Sequence, residues 1–361
     1  MDVLDRQSSF SGTKAATGAL ALPIPQLDQW LSSHIASFSG LRSANQFKGG
    51  QSNPTYHLMA DSGSYVLRRK PPGKLLTSAH AIDREYKLLS ALAGQDFPAA
   101  RPLVYCEDES VIGTAFYVMT HIEGRVIWEP SMPGADPVER RAVFKNMAQT
   151  LARLHSFDPQ AIGLGDFGKA DGYTMRQVRR WSENYRLSAT EDIEDMNRLI
   201  DWLPSNLPQS ARAAIVHGDY RLDNLILASD GPAILAVLDW ELATLGDPIA
   251  DLVYHLMTWV MPRAENGGGT GSLLDLDYAA LGLPTMQEHA AVYAEAAGLE
   301  TIPDLEAYLA YNFFRLAAIL QGIVGRVRDG TASNDNAQAM ANQVRPLAQA
   351  GWLWAQKAPS R

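Results

Sequence analysis

One cysteine, Cys106, stands in 361 residues. No disulfide can close within the chain, so the fold must rest on packing, and the count fits a reducing cytoplasm. Long apolar runs are scarce. The stretch near Ile249 to Val260 is interrupted by Asp251 and His255, and that from Phe313 to Val327 by Arg315 and Arg326, so neither is expected to span a bilayer unbroken. The N-terminus carries Asp2 and Asp5, and its apolar run from Ala19 to Ile24 is short and broken by Pro23, so neither a signal nor a transit peptide is expected. Positive charge is also in deficit. A net charge of −9 repels nucleic acid and anionic membranes at long range, so neither is expected as a partner. Any phosphate-bearing ligand must then be captured by a local basic patch. Zinc-ligand spacing, a nucleophile elbow, a Rossmann glycine pattern and internal repeats are all missing. What remains, 46% apolar and 20% charged, is an ordinary globular composition, and the length suggests two domains or lobes.

The richest stretch runs Ile215-Val216-His217-Gly218-Asp219-Tyr220-Arg221-Leu222-Asp223-Asn224-Leu225, with the sequel Ile234-Leu235-Ala236-Val237-Leu238-Asp239-Trp240-Glu241. Acids and amides lie between short apolar runs, which read as buried strands flanking polar turns. Asp219 and Asn224 stand in the order D-x-x-x-x-N, where a carboxylate can take a hydroxyl proton and an amide oxygen can hold magnesium. Asp239, past the next strand, can hold the metal from the other side.

These residues resemble the catalytic and metal-binding loops of the aminoglycoside and choline phosphotransferase family, within the protein-kinase-like superfamily. The likeness is strongest to the kinase-like region fused to some acyl-CoA dehydrogenases. His217-Gly218-Asp219 stands for the kinase His-Arg-Asp and Asp239-Trp240-Glu241 for Asp-Phe-Gly, departures usual among small-molecule kinases. The resemblance implies an α+β, bilobal, protein-kinase-like fold, with a small antiparallel-sheet N-lobe and a larger, mostly helical C-lobe. It implies ATP as donor, Mg2+ as cofactor, Asp219 as catalytic base and Arg221 steadying the γ-phosphate. Asn224 and Asp239 would hold the metal, with Glu241 touching a second ion.

Other segments fall into place around that motif. Residues 1–23, rich in Ser, Gly, Ala and Thr without a period, read as a mobile arm; 24–121 form the nucleotide-binding lobe and 122–361 the helical lobe. The loop Gly49-Gly50-Gln51-Ser52-Asn53 between strands can bring backbone amides against phosphate oxygens. Tyr65-Val66-Leu67-Arg68 places an arginine where kinases carry lysine, with Glu85 on the next helix as its partner; Arg69 and Lys70 are neighbouring alternatives, and Glu85 could equally face solvent. By resemblance, Thr120 and Ile122 receive the adenine through their backbones, with Met119 behind it and Gly124 turning the chain between lobes.

In the helical lobe, Phe144, Met147, Ala148, Leu151 and Leu154 form one apolar stripe, closed by His155 as a packing or capping residue. Arg176, Arg179, Arg180 and Arg186 gather on the next helix, either as a solvated face or as the anchor of an anionic acceptor. By resemblance, His217, Asp247 and Asp251 are expected as supports of the catalytic loop, and Asp247 can cap a helix opened by Pro248. Ala264 to Gly271 reads as a lid or a surface excursion. The chain is thus expected to phosphorylate a hydroxyl of a small molecule, a hydroxyacyl-CoA-type anion or an aminoglycoside or choline-like amino alcohol. No obligate protein partner is evident. A nucleotide-binding pseudokinase and a metal-dependent hydrolase stand as alternatives.

Overall fold

The computed structural model describes residues 3–49, 53–72, 81–208, 212–263, 271–330 and 337–359. The chain begins with a helix, Val3–Phe10 (α1), and a short strand, Thr13–Ala15 (β1). A second helix, Ile24–His34 (α2), takes proline in its first turn, where a missing N–H costs nothing, and buries Leu27 and Leu31. Strands Leu41–Phe47 (β2), Thr55–Ala60 (β3) and Gly63–Arg69 (β4) follow, then the helix Ile82–Leu92 (α3) and strands Pro102–Cys106 (β5) and Phe116–Thr120 (β6). All pair antiparallel in a six-stranded sheet of order β1-β2-β3-β4-β6-β5.

Successive side chains of a strand point to opposite faces, and here that alternation sorts the sheet. Tyr65, Leu67, Phe116 and Val118 share a core with Leu27 and Leu31 of α2. Val66, Tyr117 and Met119 point the other way, into the core that continues through the helical lobe.

The expectation of a mobile arm over 1–23 fails for its described part. Thr13 of β1 pairs with Phe47, the Leu20 carbonyl accepts from the Tyr56 hydroxyl at 2.7 Å, and Gln7 bonds the backbones of Val126 and Trp128. A three-residue edge strand is too short to leave a period in the sequence.

Gly124 turns the chain between the lobes. A Cβ there would stand 2.3 Å from the Leu227 carbonyl oxygen, so only glycine allows the backbone to lie so close, and Arg125 exchanges hydrogen bonds with Leu227. Helices Pro137–Ser156 (α4), Tyr173–Ser188 (α5) and Glu194–Asn206 (α6) then open the second lobe. The α4 stripe of Phe144, Met147, Ala148, Leu151 and Leu154 is buried as its spacing requires.

Strands Ala214–Val216 (β7), Leu225–Leu227 (β8), Ile234–Val237 (β9) and Thr244–Gly246 (β10) make two small antiparallel pairs, β7 with β10 and β8 with β9. Helices Pro248–Leu256 (α7), Tyr278–Leu281 (α8), Met286–Ala297 (α9), Leu305–Arg328 (α10) and Ala337–Lys357 (α11) complete an α+β, bilobal, kinase-like architecture. Despite its arginines, α10 is long and apolar enough to cross a membrane, but 67% of its most apolar window is buried, so that surface serves the core. The stretch 264–270, read as a lid or excursion, lies outside the described residues.

Candidate active site

The two strand pairs bring the polar turns together. Leu238 N donates to Asn224 O at 2.8 Å, so Asp239 follows immediately beside the loop that carries Asp219 and Asn224. Asn224 Nδ2 donates to both Asp219 O (2.9 Å) and Asp219 Oδ2 (3.1 Å), so the amide nitrogen, not the oxygen, meets the carboxylate. Asp219 Oδ1 accepts from the Tyr254 hydroxyl at 2.8 Å, with Arg221 Nε 3.5 Å away. Arg221 is held by Asp223, whose Oδ2 accepts from it at 2.7 Å. Asp239 sits in the left-handed region at φ 61° and ψ 63°, a conformation aspartate tolerates better than most residues and one that marks functional turns.

The three residues read as supports, His217, Asp247 and Asp251, each make hydrogen bonds around this loop. Asp251 accepts from the backbone of His217 (2.7 Å) and of Gly218 (2.8 Å), and from His155 Nε2 (3.1 Å). Burial works to raise the Asp251 carboxyl, but the bond and charge of His155, and then His217, hold it below the usual carboxylate range. His217 Nδ1 accepts from Asp219 N at 3.2 Å, and its Nε2 faces Leu238 O at 2.8 Å, a network that fixes the proton on Nε2. One imidazole therefore ties the Asp219 loop to the Asp239 turn. Asp247 caps α7 through Ile249 N and receives the Tyr308 hydroxyl at 2.6 Å. Gly218, at φ 83°, brings the loop against Leu242.

On the sheet side, Arg68 and Glu85 meet in a buried ion pair, Nε to Oε2 2.7 Å, which excludes a solvent-facing Glu85. Arg68 Nη2 also reaches Asp239 Oδ1 at 2.7 Å and Glu241 Oε2 at 3.5 Å. Strand alternation assigns this role to Arg68, because Arg69 points to the opposite face and donates to Ala19 O. Burial pushes the Glu85 carboxyl up, with Arg68 pulling it back. Asn53, expected in the phosphate loop, instead donates to Glu85 Oε1 at 2.9 Å, and Tyr117, unforeseen, donates to Oε2 at 3.0 Å. Gly49 lies against the Trp128 ring, whereas Gly50, Gln51 and Ser52 lie outside the described residues. At the hinge the Thr120 amide is taken by Arg101 O at 2.9 Å; Met119 is buried and Ile122 half-buried beside it.

Among the described residues no three His, Cys, Asp or Glu side chains gather closely enough to hold a metal alone. An Asn oxygen, Asp239 and Glu241 nevertheless suit magnesium, which takes one or two carboxylates and completes its shell with phosphate oxygens and water.

The arginine cluster is only partly as expected. Arg176, Arg179 and Arg186 line a groove of about 600 Å³ between α5 and α6, with Val178, Ile200 and Pro204 and one acid, Asp201. Arg180 leaves it to lie over the Trp181 ring, and Arg179 is exposed and pairs with Glu183. The cation against the catalytic loop is Arg315 of α10, which donates to Gly218 O at 3.1 Å. Nothing local in the sequence ties Arg315 or Tyr254 to Asp219; folding alone brings them there.

A family model described as the phosphotransferase enzyme family matches residues 43–289, a span that holds Arg68, Glu85, Asp219, Asn224, Asp239 and Tyr254 but ends before Arg315. The chain belongs to that family. Acyl-CoA dehydrogenase family member 10 of Mus musculus is 42% identical to this phosphotransferase over 346 residues, 96% of this chain and 32% of that protein. Family member 11 of Gallus gallus is 42% identical over 315 residues, 87% of this chain and 40% of the relative. The chain thus spans well under half the length of these relatives. Among solved structures, a candidate aminoglycoside phosphotransferase from Ralstonia eutropha is 45% identical, with a TM-score of 0.85 over 94% of this chain and 100% of that one. Spectinomycin phosphotransferase, solved with ADP and spectinomycin, superposes with a TM-score of 0.60 over 91% of this chain and 98% of that one, and at 13% identity shares the fold alone.

Proposed function

We propose that this phosphotransferase moves the γ-phosphoryl group of ATP to a hydroxyl of a small anionic acceptor of the hydroxyacyl-CoA type. The observation that carries the reading is the convergence of Asp219 and Asn224 with Asp239, on which the Arg68–Glu85 pair bears directly. Asp219 orients the acceptor hydroxyl and takes its proton as the oxygen bonds to phosphorus and the bridge to ADP breaks. Asn224 and Asp239 would hold magnesium, with Glu241 beside them; when bound, the ion neutralises charge on the phosphates. Arg68 binds donor phosphate while Glu85, Asn53 and Tyr117 fix its direction. Arg221 stands ready to steady the transferred group. Because the transition state is loose, positioning and charge supply most of the rate.

The acceptor class rests on the groove of Arg176, Arg179 and Arg186, whose guanidinium forks suit phosphates and would repel a polycationic aminoglycoside. Kinship with acyl-CoA dehydrogenase family members supports the same choice. Mass-spectrometric screening with Mg-ATP against hydroxyacyl-CoA esters, aminoglycosides and choline-like amino alcohols tests it. The CoA esters are expected to gain phosphate, and Arg179→Glu with Arg186→Glu to raise their KM without changing ATP affinity. Efficient phosphorylation of the amines alone would sink the acceptor assignment.

A further inference from the structure

Two groups from distant helices close on the catalytic carboxylate and have no part in the reading above. Tyr254 of α7 donates to Asp219 Oδ1 at 2.8 Å while staying half-buried at the cleft. It lies one helical turn beyond Asp251, so a single face of α7 holds both the backbone of the loop and its carboxylate. Arg315 of α10 donates to Gly218 O, and its guanidinium carbon lies 5.1 Å from the centre of the Tyr254 ring.

We propose that Tyr254, seated on Arg315, is a positioning residue for the reaction: its hydroxyl pins Asp219 Oδ1 and turns the remaining lone pairs of the carboxylate toward the acceptor hydroxyl. Asn224 holds Oδ2, so the two donors fix the plane of the group. An ionised carboxylate accepts several hydrogen bonds, so both donors can hold it at once and still leave lone pairs for the acceptor hydroxyl. The charged groups facing it are Arg221 from its own loop and Arg315 from α10, with Asp239 acting on Arg221 from the β9 turn. Burial, and then the charge of Asp219, push the Tyr254 phenol up, so it remains a donor.

The inference rests on Asp219 as the proton acceptor, and one experiment separates it from the kinase reading. With ¹³C-labelled aspartate carboxyls, the Asp219 resonance, assigned by its loss in Asp219→Asn, is compared at one neutral pH in wild type and in Tyr254→Phe, which keeps the ring on Arg315. Loss of the donor is expected to move the resonance; an unmoved resonance overturns the proposal. In turnover, Tyr254→Phe is expected to lower kcat about 10- to 100-fold, the worth of one hydrogen bond to a charged group, with Mg-ATP affinity unchanged. On the Asp219→Asn background it should cost nothing further, and an equal loss on both backgrounds would reduce Tyr254 to a packing residue. A resonance that moves in Tyr254→Phe when the wild type transfers no phosphate sustains the contact and overturns the kinase reading.

Discussion

Arg68 carries more of this site than its position in a strand suggests. Its side chain is 9% exposed and that of Glu85 3%, and the same guanidinium bridges to Asp239 and Glu241. Removing one member of a buried ion pair strands the other charge without water, which costs about 3–5 kcal/mol. Arg68→Met is therefore expected to lose about that much unfolding free energy in urea, and Arg68→Lys much less, since an ammonium can still meet Glu85. A lysine lacks the fork that reaches two partners at once, so the bridge to Asp239 should go. A methionine variant as stable as wild type would mean that the pair is not structural.

Elements position these residues through contacts that sequence reveals unevenly. The D-x-x-x-x-N spacing was legible because Asp219 and Asn224 share one short loop, and the α4 stripe because burial follows helical period. Asp247 was legible through helix capping, and Asp251 only through the resemblance to the family's Gly-Asp-Pro segment. Tyr254 and Arg315 were not, because α7 and α10 meet the loop only after the C-lobe packs. Asn53 read as a loop polar residue and proved to hold Glu85, a partner 32 positions away. Arg180 shared a helix with the groove arginines, yet its stacking on Trp181 took it elsewhere. One such tertiary contact joins α7 to α9, where His255 and His289 are buried with their Nε2 atoms 3.0 Å apart. Burial holds His255 down at about 4, and burial with the neighbouring His255 lowers His289 too. Both are therefore neutral in the fold, and as pH falls below about 6.5 the unfolded chain takes up protons first. Stability is expected to be full above that pH and to fall toward pH 4, by about 3 kcal/mol from His255. Urea titrations should show a shallower decline in His255→Gln; the same slope in both proteins would contradict the account.

At the scale of the whole molecule, the sheet's two faces divide the labour. One packs with α2, while the other presents Val66, Tyr117 and Met119 to a core continuous with the helical lobe, so the Arg68–Glu85 pair stands above the catalytic loop. The lobes meet where Gly124 lies against Leu227 and where Arg68 reaches Asp239, a contact between residues more than 170 positions apart in sequence. If that junction is a magnesium-nucleotide site, the charge of Asp239 must count in binding. Calorimetric titration of Mg-ATP into wild type and Asp239→Ala tests this most directly. The account predicts an affinity loss of about 10- to 100-fold in the variant, from the deleted charged ligand, and a smaller loss for ATP without magnesium. Equal Mg-ATP affinity in the two proteins would contradict it.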